Sequence, residues 1–139
     1  MTIQEAKRPI PIVDAATKLF FDGARHGKLM LQRCRKCRVW HMPLRQSCDE
    51  CLSLDLDWAP SSGKGEVYTF AYMHYVYHPG FAKDVPYNLT VVKLDEGPVM
   101  ESVLIGVKRG DIKVGQRVEA VFEDVGGTFV PKFKLAAKR

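Results

Sequence analysis

The chain has 139 residues, 46% of them hydrophobic, which suits one ordinary domain or a small domain with an appendage and excludes an intrinsically disordered protein. Its formal net charge of +5 and pI near 9.1 keep nucleic acid, phosphorylated ligands and acidic partners in play. No apolar run approaches the ~20 residues that span a bilayer, so no membrane role is expected.

In chain order, residues 1–13 hold Pro9 and Pro11 with no clear period and read as an extended arm. The opening MTIQEAKRPIPIVDAA lacks the apolar stretch of a signal peptide, so a reducing cytoplasm is the expected location. From Asp14, DAATKLFFDGARHGKL is predicted helical, with Asp14 as the cap and Ala15, Leu19 and the Phe20/Phe21 pair on one side. Gly23 weakens its end and Gly27 stops it. Such a helix is too short to stand alone, so its Phe pair should pack on something else. KLMLQRC reads as a short strand, and LDLDW as another. PSSGKGE is the clearest linker, which places a boundary near Gly63 between a first segment, 14–60, and a second, 61–139.

Beyond that boundary the period changes to two. EVYTFAYMHYVYH reads as one long strand, PGFAKDVPY as a loop, and NLTVVKLD and VMESVLIG as strands around an EGP turn. Turn signals at Arg109-Gly110 and Val114-Gly115 lead to RVEAVFEDV, and Gly126-Gly127 makes a hairpin into TFVPKFKLA. Pro131 has no N–H, so the last strand should lie at an edge or contain a bulge. Five strands with no crossover helix predict a mainly β protein whose second segment is a five-stranded antiparallel barrel, most commonly an OB-fold.

The four cysteines stand as Cys34-x2-Cys37-x10-Cys48-x2-Cys51. Two residues three apart on a tight turn point at one centre, and two such pairs complete a tetrahedron with zinc about 2.3 Å from each sulfur. All four positions are then thiolate, so the expected zinc is structural; iron in the same cage or a metal-free form are the alternatives. A redox dithiol is disfavoured, because neither pair opens a helix after a strand and the second pair is superfluous to it.

Seven basic residues and no acidic one lie between Arg25 and Arg45, whereas residues 61–139 hold eleven basic and nine acidic. Arg33, Arg35, Lys36 and Arg38 should therefore surround the −2 charge of a zinc tetrathiolate. Trp40 and His41 could stack on bases, but a small core built on Trp40 and Trp58 is the preferred reading. His26, His41, His74 and His78 are dispersed; His74 and His78 either flank a ligand from one face of the long strand or are ordinary sheet-surface residues. Nothing in the sequence assembles into a catalytic site.

LFFDGARHGKLMLQRCRKCRVWHMPLRQSCDEC, LDWAPSSGKGEVYTFAYMH, PGFAKDVPYNLTVVKLDEGPVMES and KVGQRVEAVFEDV resemble the bacterial and archaeal zinc-ribbon plus OB-fold proteins. That resemblance implies an N-terminal helix, a rubredoxin-like ribbon ligating zinc through Cys34, Cys37, Cys48 and Cys51, and an OB domain associated with acyl-CoA. It further implies a non-catalytic accessory subunit of a thiolase-like, hydratase or aldolase partner, in whose assembly the OB part helps form the pantetheine channel. Loop 78–87, with His78, Phe81, Lys83 and Tyr87, becomes the expected ligand or partner surface, with Lys83, Lys108 or Arg109 meeting phosphates. The family's knuckles commonly carry Gly after the second Cys of each pair, where this chain has Arg38 and Leu52. The alternative is a nucleic-acid-binding module, which the same fold logic and pI also suit.

Overall fold

The computed structural model describes residues 7–136, so residues 1–6 of the expected arm lie outside the described residues. Helix α1 spans Lys18–Arg25 and begins later than the sequence predicts. Asp14 accepts from the Thr17 N–H at 2.9 Å and from its hydroxyl at 3.0 Å, but these bonds close a turn at residues 15–17 that precedes the helix. The same bonds, the Thr17 N–H first, hold the Asp14 carboxyl below its ordinary pKa. The other end is as expected. Gly27 sits at φ 73°, its N–H donates to the Ala24 carbonyl and that of Lys28 to the Gly23 carbonyl, the paired bonds that end a helix on a left-handed glycine.

Strands β1 (Met30–Cys34), β2 (Trp40–His41) and β3 (Leu56–Pro60) form an antiparallel sheet in the order β2-β1-β3. Helix α1 approaches β1 closely because residue 23 is Gly: a Cβ there would lie 2.2 Å from Met30 Cγ.

The expected linker is shorter than PSSGKGE, because β4 (Lys64–Met73) starts inside it. Gly65 is a strand residue over which β5 (Tyr87–Leu94) passes tightly; a Cβ at Gly65 would lie 2.4 Å from the Lys93 carbonyl oxygen. β4 bulges at Tyr68 and stops at Met73, so His74 and His78 do not share a strand face. β6 (Val99–Ser102), β7 (Arg117–Val125) and β8 (Thr128–Leu135) complete a curled five-stranded antiparallel sheet in the order β6-β5-β4-β7-β8. β8 is an edge strand, one of the two placements expected from Pro131.

The sheet is a half-barrel that closes at one place. Leu104 and Phe133 form a parallel bridge, in which the Phe133 N–H donates to the Val103 carbonyl at 3.1 Å and the Ile105 N–H donates to the Phe133 carbonyl at 2.8 Å. Inside lies one apolar cluster that includes Val67, Val92, Leu94, Met100, Val118 and Phe133, and it extends to Leu29 and Leu31 at β1. The buried Asn88 amide donates to the Leu104 carbonyl and its oxygen accepts from the Leu104 N–H, both at 2.8 Å, which fixes the segment after β6 against β5. Among the described residues no helix is long and apolar enough to cross a membrane.

Gly65→Ala is expected to destabilise the protein by about 1–3 kcal/mol, because the clash is with backbone that cannot rotate away. A lowered urea midpoint at unchanged zinc content checks this.

Candidate functional site

Two places gather chemistry. The first is the cysteine cage. β1 delivers Cys34 at its end, and the chain returns so that the Cys34 N–H donates to the Val39 carbonyl and the Arg38 N–H to the Cys34 carbonyl, both at 2.9 Å. The second knuckle repeats this: the Cys48 N–H donates to the Ser53 carbonyl and the Leu52 N–H to the Cys48 carbonyl, again at 2.9 Å. Each turn needs a left-handed residue after its second Cys, and here Arg38 and Leu52 take φ 68° and 62°. Without glycine this costs about 1 kcal/mol or more per knuckle.

The four sulfurs lie within 4.8 Å of one another, with Cys34–Cys51 and Cys37–Cys48 each at 3.5 Å. A tetrahedron around zinc has edges of about 3.8 Å when its bonds are ~2.3 Å, so the cage fits a single structural zinc held by four thiolates. The Cys37 N–H, 3.4 Å from Cys34 Sγ, leads in bringing the Cys34 thiol down to about 6. Cys37 goes the other way: the Val39 N–H favours its thiolate, but burial and the neighbouring sulfurs push it up to about 12. Sulfurs crowded this closely ionise together around a cation that offsets their repulsion.

One side chain beside the cage was not expected there. Buried His41, placed by β2, brings Nε2 within 3.2 Å of Cys48 Sγ while its Nδ1 lies 3.4 Å from Asp49 Oδ1. It orients the ligand from outside the coordination shell. Two of the arginines expected to surround the sulfurs, Arg33 and Arg35, are engaged elsewhere, as is Arg45 further along the same basic run. Arg33 lies over the Trp40 ring at 5.3 Å, Arg35 faces Asp55 at 3.7 Å and Asp57 at 3.4 Å, and Arg45 pairs with Asp49 at 2.8 Å. Trp40 packs against the core, and Trp58 joins Phe20, Phe21, Met42 and Leu44 around an apolar groove of about 240 Å³.

The second place is a cleft of about 670 Å³ on the open side of the half-barrel. Of the loop residues singled out in the sequence, Phe81 and Tyr87 line it, together with Lys108 and Arg109. His78 and Lys83 are not among its lining residues; His78 Nδ1 instead accepts from the Gly80 N–H at 2.9 Å, capping the 3-10 turn Pro79–Phe81. Phe81 and Tyr87 are 6.2 Å apart between ring centres. Tyr72 completes the aromatic wall, its hydroxyl accepting from the Gly110 N–H at 3.3 Å and its ring lying 5.3 Å below the Arg109 guanidinium. Arg8, Asp84, Glu123 and Lys132 also line the cleft and were not identified from sequence. Their signal is absent there because Arg8 and Asp84 are 76 residues apart.

Comparison with known proteins places both parts. Residues 21–57 match a family model described as the ChsH2 rubredoxin-like zinc ribbon domain, and residues 58–123 match the ChsH2 C-terminal OB-fold domain. A probable enoyl-CoA hydratase alpha subunit of Thermomonospora curvata is 32% identical over 114 residues, which is 82% of this chain and 35% of that protein. A DUF35 domain-containing scaffold protein of Methanocaldococcus jannaschii is 33% identical over 94 residues, 67% of this chain and 66% of the relative. This chain thus spans about a third of the hydratase subunit and about two thirds of the scaffold protein. A chain in the solved structure of an Ltp2-ChsH2(DUF35) aldolase superposes with a TM-score of 0.80 at 28% identity, covering 92% of this chain and all (100%) of its own.

The purified protein is expected to carry about one zinc per chain, and Cys48→Ser to lose it, as read by metal analysis. His41→Ala should release zinc to a chelator at about 10–100-fold lower chelator concentration than the wild type. Leu52 is 76% exposed, so Leu52→Gly relieves its left-handed backbone with little loss of packing and should raise stability by about 0.5–1 kcal/mol in denaturant unfolding.

Proposed function

The chain belongs to the ChsH2 family of zinc-ribbon plus OB-fold proteins, and from that premise we propose that it is a non-catalytic, scaffold-type subunit of a cytoplasmic hydratase, aldolase or thiolase-like enzyme. Its OB part binds acyl-CoA and forms part of the channel for the pantetheine arm, while the partner supplies the catalytic groups. The names of its relatives, a hydratase alpha subunit, a scaffold protein and an aldolase with a DUF35 component, support the association.

The observation that carries the finer reading is the make-up of the cleft. Tyr72, Phe81 and Tyr87 form an apolar wall suited to a thin, mostly apolar arm, and Lys108 and Arg109 stand where phosphates can be met. The zinc contributes shape only: four thiolates fill a tetrahedral ion and leave no position for substrate or water. A polynucleotide would need a track of free cations, and Arg33, Arg35 and Arg45 of the basic run are instead drawn onto an aromatic ring and carboxylates.

Affinity capture from nuclease-treated native extract, with this chain as bait, is expected to retain a hydratase, aldolase or thiolase-like subunit in near-stoichiometric amount. Turnover of an acyl-CoA substrate should require that partner; activity of the contaminant-free chain alone would overturn the accessory role. In calorimetry, Arg109→Glu should weaken coenzyme A binding by about tenfold at 0.15 M salt. Binding to polynucleotide that falls steeply with salt, with no partner captured, would favour the nucleic-acid module instead.

A further inference from the structure

We propose that residues 7–10 are a strap that seats beside the cleft, and that Arg8, which the strap brings to it, is a positioning residue that sets the charge of the cleft for an anionic ligand. The identity of the ligand rests on the acyl-CoA reading above; the seating of the strap does not. Arg8 is placed by three partners at once. Its guanidinium pairs with Asp84, lies 3.9 Å from Glu123 and sits 5.3 Å from the centre of the Phe81 ring. These partners come from the loop before β5 and from β7, so one side chain from the arm ties two walls of the cleft together.

The sequence accommodates the strap where it touches. Gly80 is not among the residues with positive φ, so its own backbone does not demand glycine. A Cβ there would lie 2.8 Å from Arg8 Cα and 2.8 Å from the Lys7 carbonyl oxygen, so glycine at this position makes room for the backbone of the arm. At the β7–β8 hairpin, where the turn itself calls for glycine at Gly126 (φ 61°), the Ile10 side chain seats so closely that a Cβ on Gly126 would lie 2.5 Å from Ile10 Cδ1. The arm therefore rests on the Pro79–Phe81 turn at Arg8 and on the hairpin at Ile10, two seats with the cleft beside them.

The charge it brings matters to an anion. Arg8, Lys108, Arg109 and Lys132 face Asp84 and Glu123 around the cleft, four cations against two carboxylates; without Arg8 the balance is three against two. Arg8 sets a positive partner beside Asp84 and beside Glu123, which Lys132 also meets at 3.0 Å, and its loss lowers the positive charge that an incoming phosphate would face. The strap thus makes the cleft acceptable to a phosphorylated ligand.

Two measurements on the full chain test this together: nuclear Overhauser contacts of Ile10 with Gly126 and of Arg8 with Phe81, and calorimetric titration with coenzyme A. The expected result is that both contacts are present in the wild type and that the Arg8–Phe81 contact is lost in Gly80→Val, with zinc content unchanged. Arg8→Ala and Gly80→Val should each weaken coenzyme A binding by about 3–10-fold, and Arg8→Lys should recover part of the loss. Absence of the contacts in the wild type overturns the strap, and Arg8→Ala binding as tightly as wild type overturns the role of Arg8. Contacts present with no coenzyme A binding by any form would remove the acyl-CoA reading and leave the strap standing.

Discussion

The short strand Met30–Cys34 is the constraint on which the rest of the molecule depends. Leu31, fully buried, belongs to the same apolar cluster as Val67, Val92 and Phe133 of the half-barrel, while Cys34, three residues later, is a corner of the sulfur cage. Just before the strand, the Leu29 carbonyl accepts from the Ser61 N–H at 2.9 Å and from its hydroxyl at 2.8 Å. Five residues therefore fix the ribbon to the barrel through packing at one end and coordination at the other. The metal orders a ribbon whose own core is small, and the barrel's core orders the strand that presents the first ligand.

Charge follows the same economy of placement. Four of the seven cations in the basic run between Arg25 and Arg45 find partners once folded: Arg25 reaches the Gly127 carbonyl at 3.2 Å and the Phe129 ring, Arg33 reaches Trp40, and Arg35 and Arg45 reach carboxylates. In the barrel, Arg117 grips Asp95 with two bonds of 2.8 and 2.7 Å, which lowers the pKa of Asp95 and raises that of Arg117. The depressed carboxylate contributes stability above its unfolded pKa and loses it as acid protonates the pair, a modest effect because both groups are half exposed.

What could be read in the sequence was what is local. The cysteine spacing revealed the cage because each knuckle is a few residues long, and the alternation of RVEAVFEDV and the Gly126-Gly127 turn revealed a hairpin because its pairing is between neighbours. The start of the helix was misplaced, since Asp14 makes the hydrogen bonds of a cap but uses them on a turn. Gly65 looked like linker because a glycine in a strand and a glycine in a loop are the same letter, and only the Lys93 carbonyl above it tells them apart. The places of His41 beside the cage and of Arg8 at the cleft were invisible for a similar reason. One is brought to Cys48 by a two-residue strand, and the other to Asp84 across most of the chain.

The incomplete closure of the barrel bears on self-association. A half-barrel with an opening large enough for a ligand has two strand edges beside it, and such edges invite pairing with another chain. Here two outward-facing positions in the middle of β8 are already spent: Phe133 uses both its N–H and its carbonyl on residues 103–105, and Pro131, two residues earlier on the same side, has no N–H to give and lends its carbonyl to the Ser102 hydroxyl at 3.1 Å. Lys132 and Lys134 add charge to the strand, and the facing edge strand, Val99–Ser102, is only four residues long. The middle of the β8 edge therefore offers a foreign strand little to pair with.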